Sequence, residues 1–92
     1  MNIFAGIGRI NDVNSNGKVL KFILSVIQEK PCNVPCVVFD QRDEELKFLQ
    51  NLQEAMQVVW LQGRISSYEY RFNDKIVRKI EVVSHPRNIK PI

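Results

Sequence analysis

The chain has 92 residues, 45% hydrophobic and 25% charged. That is ordinary globular composition for one domain, residues 1–92, and it excludes disorder. A domain this small is marginally stable alone, so self-association is a natural supplement. The net charge of +3 is unevenly spread: residues 64–92 hold seven basic side chains against three acidic, and residues 1–63 hold six against seven. This C-terminal excess points toward a polyanionic partner, with a solvated charged edge as the plain alternative.

Other classes are excluded by what is missing. No apolar run reaches the ~18 residues that span a bilayer, and no charged stretch followed by an apolar one reads as a signal peptide. The expectation is a cytoplasmic protein with no membrane partner. Cys32 and Cys36 form a lone C-x-x-x-C, and the only histidine, His85, is far away in sequence. That is too little for a zinc site, and no metal or cofactor is expected. Cys36 sits in an apolar run and reads as a buried thiol. Cys32, next to Pro31, reads as part of a turn. His85 lies beside Pro86 as a surface residue, Asp43, Glu44 and Glu45 read as charges at a helix start, and no phosphate-cradling glycine loop occurs. No enzyme is expected.

In chain order, residues 2–12 alternate and contain Gly6 and Gly8, the mark of a bent or closely approached strand. Asn14 to Gly17 is a tight turn. Residues 18–29 form a second strand, with Leu20, Phe22, Leu24 and Val26 on one face. Residues 30–35, with two prolines, read as a connection, and residues 36–40 as a short third strand. The period then changes: Leu49, Leu52 and Met56, with Phe48 and Ala55, define an amphipathic helix over 43–56, with Asp43 as its N-cap. Residues 57–72 are a long fourth strand, Asn73-Asp74 a turn, and residues 75–85 a fifth strand. Pro86 and Pro91 bracket a tail. The order β-β-β-α-β-β predicts an all-β domain with one helix, an OB-fold, the five-stranded Greek-key barrel whose strands 2–3 and flanking loops bind oligonucleotides.

Alternation splits the fourth strand into two rows. Val59, Leu61, Gly63 and Ile65 are apolar and small, as a barrel interior requires. Trp60, Arg64, Tyr68, Tyr70 and Phe72 lie on the other row, with Arg71 next to them in sequence. Such a row suits three occupants: unpaired bases stacked on rings with arginines at the phosphates, a second subunit, or cross-strand packing.

The residues also carry a family resemblance over essentially the whole length. IGRIND (7–12), NGKVLKFILSV (16–26), CVVF (36–39), GRISSYEY (63–70) and IEVV (80–83) resemble, in order, segments of the bacterial single-stranded DNA-binding proteins. The resemblance implies sequence-tolerant binding of single-stranded DNA, in replication, recombination or repair, by a homo-oligomer. A tetramer is the family's form; a dimer is that of its tail-less relative, the primosomal protein PriB, an adaptor acting mainly through proteins. RNA is not distinguished from DNA. Phe39 and Tyr70 fall at base-stacking positions, and Trp60 at a position that contacts another subunit in some members. Phe4 lies in a strand that pairs across subunits in the family. Together with the aromatic row and the charges near it, the expected site is Phe39, Tyr68, Tyr70 and Phe72 for bases, with Arg64, Arg71, Arg78, Lys18 and Lys21 for phosphates. The sequence departs from the family in a short loop after strand two that lacks an aromatic, and in acids, Asp40 and Glu69, near the groove. It shows none of the family's flexible, acidic-tipped tail, so recruitment of partners through such a tail is not expected.

Overall fold

The structure is a computed structural model that describes residues 2–17, 19–39 and 42–92. Five strands and one helix follow in order: β1 (Ile3–Ser15), β2 (Leu20–Val26), β3 (Cys32–Val38), α1 (Asp43–Glu54), β4 (Val58–Phe72) and β5 (Lys75–Pro91). The sheet closes on itself in the order β1-β2-β3-β5-β4, with every pairing antiparallel except β3 with β5. This is the OB-fold that the element order predicts.

Alternation decides what the barrel holds. Leu20, Phe22 and Leu24 of β2, Cys36 and Val38 of β3, Val59 and Leu61 of β4, and Val82 and Ile89 of β5 are buried together. Leu49 and Leu52 of α1 join them, so the helix covers one end of the barrel. Gln53 ties it to β1 by accepting from the Val13 amide at 2.9 Å, and the Arg9 Nε donates to the Met56 carbonyl at 3.1 Å. The close approach expected in β1 is at Gly8, where any Cβ would run into the Ser25 carbonyl.

Several expectations are corrected. Residues 32–35 are strand, not connection, and Cys32 opens β3 as an exposed residue. Pro35 is tolerated because only Cys36–Val38 of β3 is paired on both sides, so its missing N–H falls on an open edge. The helix N-cap is Arg42, in extended conformation with no side-chain cap bond, and Asp43 is the first helical residue. Met56 lies past the helix end at φ 51° and is 70% exposed, so it is not a core residue. The Pro86–Pro91 tail belongs to β5: Ile89, Lys90 and Pro91 pair with Leu61, Trp60 and Val59. The interior row of β4 ends early, since Ile65 is 39% exposed where the β4–β5 pair leaves the barrel.

Beyond that point the two strands run on as a projecting hairpin. Its turn is Asn73-Asp74, both in the left-handed region at φ 49° and 61°, as a tight hairpin turn of the primed kind demands.

Candidate nucleic-acid interface

The ladder between β4 and β5 sorts the hairpin side chains into two faces. Tyr68 stands opposite Lys79, Tyr70 opposite Val77 and Phe72 opposite Lys75. Residues directly opposite in an antiparallel pair point the same way, so these six share one face. The Tyr68 and Tyr70 rings lie 6.3 Å apart, tilted by 32°. The Lys79 ammonium sits 5.9 Å from the Tyr70 ring centroid. Phe72, near the tip, is the most exposed of the three rings.

Arg71 and Arg78 are on the other face, opposite Ile76 and Glu69. Arg78 donates to Glu69 at 2.8 Å in a solvent-exposed ion pair. The cations that accompany the rings are therefore Lys75 and Lys79, which reading β4 alone passes over. The signal for them is the two-residue turn, which fixes the cross-strand partners by counting outward from it.

The same outer face continues onto the barrel as two adjoining hollows. The smaller, of about 520 Å3, runs between Lys21 and Ile23 of β2, Pro35 and Val37 of β3, and Tyr68 and Lys79 of the hairpin. Two acids, Asp12 and Glu81, also reach it, and so does the expected Arg78 of the hairpin, despite its position on the opposite face of the ladder. The larger, of about 940 Å3, lies where β3 ends against β5, between Phe39, Arg42, Arg64 and His85. Phe39 follows β3 and is 60% exposed, so its ring offers a free face. Arg42 reaches Glu45 at 2.8 Å. Val37 of the smaller hollow and Val38 of the larger are consecutive residues of β3, beside Val83 and Ser84 of β5. Lys18 and Asp40, both singled out in the sequence, lie outside the described residues.

Phe4 and Trp60 separate. Phe4 is half-buried, packs on the core, and lays its ring over Gly6, where a Cβ would come within 2.9 Å of it. Trp60 is half-buried on the outer face, flanked by Ile7 of β1 and Lys90 of β5. Ile3 and Ile7, 53% and 46% exposed, extend an apolar strip beside it.

Burial pushes the Cys36 thiol up to about 12, and its Sγ donates to the Val34 carbonyl at 3.4 Å. Among the described residues no cluster of histidine, cysteine or acid could hold a metal ion, and no helix is long and apolar enough to cross a membrane.

No protein-family model matches the chain, and no curated protein matches it. Its fold is that of solved single-stranded DNA-binding proteins. The Plasmodium falciparum protein, solved in complex with single-stranded DNA, superposes with a TM-score of 0.73 at 19% identity, over 100% of this chain and 95% of that one. The mitochondrial single-stranded DNA-binding protein of S. cerevisiae superposes at 0.75 and 14% identity, over 99% and 94%.

Proposed function

We propose that the chain binds single-stranded DNA, with bases stacked on Tyr68, Tyr70 and Phe39 and phosphates met by Lys79, Lys21 and Arg64. The observation that carries this reading is the single outer face on which rings and cations alternate, from the hairpin through both hollows. Stacking on an aromatic side chain contributes about 1–3 kcal/mol per base and tolerates any sequence, because every base has a π-face. Cations beside the track displace condensed counterions, which makes binding salt-dependent. The two protein neighbours named above support the reading through their shared fold. Its place is in replication, recombination or repair, and its action is binding rather than catalysis.

A second reading has its own observation. The strip of exposed Ile3 and Ile7 beside half-buried Trp60 is apolar and off the ring-bearing hairpin, as a contact between subunits would be. We assign that strip to a homo-oligomer, tetramer or dimer. A PriB-like adaptor would use such an assembly with little DNA affinity.

The test is a fluorescence titration with a dT oligomer of a few tens of nucleotides, at low and moderate salt, with the mass measured by light scattering. Quenching that weakens with salt supports the DNA reading. An oligomer that binds no DNA at low salt leaves only the adaptor, and an RNA oligomer of equal length shows whether the 2′-OH matters.

A further inference from the structure

The larger hollow is built differently from the rest of the track. Its floor is the break in the β4–β5 ladder: pairing stops at Leu61 with Ile89 and resumes at Gly63 with Ser84. Residues 85–88 therefore stand opposite Gln62 alone. The break is held firmly. The Ser84 hydroxyl donates to the Gln62 carbonyl at 2.7 Å, Pro86 is buried, and the Arg87 amide donates to His85 Nδ1 at 3.2 Å.

What this scaffold presents is two carboxamides open to the hollow and bonded to no other protein group among the described residues. The side chains of Gln62 and Asn88 both line the hollow. Among the described residues neither carboxamide has a hydrogen-bond partner. The bond at Gln62 uses its main-chain carbonyl and leaves its side chain out. Phosphates call for cations, and stacking calls for rings. A carboxamide adds little to either, but it places one donor beside one acceptor, which is what reads the edge of a base.

We propose that this hollow reads one base by its edge, with adenine as the preferred occupant, so that binding along the track is not uniform in sequence. The inference rests on the single-stranded DNA reading. The exposed Phe39 ring takes the face of the base. A carboxamide of Gln62 or Asn88 then meets the adenine N6 amino group and N7, the pairing that amide side chains make in two bonds at once. On the corresponding edge thymine offers an acceptor and a methyl group, and cytosine offers a donor alone. Guanine is the competitor, since its O6 and N7 suit a guanidinium such as that of Arg64.

The experiment compares short dT oligomers carrying one central dA, dG, dC or dT, on the full chain and on Gln62→Ala and Asn88→Ala variants. Circular dichroism and melting confirm that each variant is folded. The dA oligomer should bind about tenfold tighter than all-dT, the lower range of what one two-bond amide–base pair discriminates. At least one of the variants should lose that preference and keep the all-dT affinity. Equal affinity for all four oligomers overturns the inference and leaves the stacking track standing. A dG preference that survives both variants and falls with Arg64→Ala overturns it in favour of arginine. Absence of binding to every oligomer overturns the DNA reading and this inference together.

Discussion

Gly63→Ala is the sharpest mechanical test of this barrel. Gly63 lies beside Phe4 on one side and Ser84 on the other, at the point where the β4–β5 ladder resumes after its break. A Cβ there would sit 2.5 Å from the Val83 carbonyl oxygen and 2.7 Å from Val82 Cγ1. Ordinary contact begins at 3.4 Å, so β5 must retreat by about 0.9 Å, and the nearest obstacle is main chain rather than a side chain that could rotate away. Overpacking of this kind costs about 1–3 kcal/mol, and a hydrogen bond stretched by the retreat adds about 1 kcal/mol. Loss of glycine's unfolded-state freedom offsets about 0.4–1 kcal/mol. The net loss is about 1–3.6 kcal/mol, or a melting temperature roughly 4–29 °C lower for a domain of this size. Thermal melting by circular dichroism reads it directly. Combining Gly63→Ala with Val82→Ala should not restore stability, because the carbonyl remains. An unchanged melting temperature, or rescue by Val82→Ala, would refute the reasoning.

Other outcomes follow from the same geometry. Tyr70→Ala should weaken binding of all sequences alike by about 5- to 150-fold, the loss of one stacking partner, and should leave the melting temperature almost unchanged because the ring is 40% exposed. In titrations over a range of salt, Lys79→Ala should reduce the slope of log affinity against log salt by about one, while Arg71→Ala, on the opposite face of the hairpin, should not. Leu49→Ala should cost about 2–5 kcal/mol in denaturant unfolding, since Leu49 is fully buried where α1 meets the barrel. Iodoacetamide at pH 8 should label Cys32 and spare Cys36 until the chain unfolds. The Cys36 thiol holds its proton up to about 12 when folded against 9.0 as reference, so the folded state binds more protons between those values. Its contribution is fully present below pH 9 and falls as pH rises toward 12, by up to about 1.4 kcal/mol per pH unit. Cys36→Ala should lack that decline relative to wild type.

Local pattern made much of the fold legible. Val59 and Leu61 against Trp60, Leu49 with Leu52, and the Asn73-Asp74 turn each follow from period or turn chemistry within a few residues. The errors lie where a distant strand decides. Residues 86–91, with two prolines, look like a tail until β4 supplies partners for them. Pro35 looks like a strand breaker until one side of β3 is seen to be open. Ile65 looks like core because its row is apolar, but the barrel ends beneath it. The site divides the same way: the rings are visible along β4, whereas Lys75 and Lys79 need the cross-strand register. Gln62 and Asn88 need the ladder break, which no periodicity announces.

The barrel is closed by a short seam. Only Cys36–Val38 and Val82–Ser84 join β3 to β5, and they are 46 residues apart in the chain. With three rungs it is the shortest ladder in the sheet, so little pairing offsets the entropy of bringing such distant segments together. It is therefore the place where the barrel breathes most easily, and its amides should exchange with solvent before those of the β1–β2 or β2–β3 ladders. Phe39 leaves one side of this seam, and His85 leaves the other. On the proposed DNA reading, a nucleotide lying across the larger hollow would bridge the two sides of this seam, and bound DNA should then slow hydrogen exchange most at the seam itself.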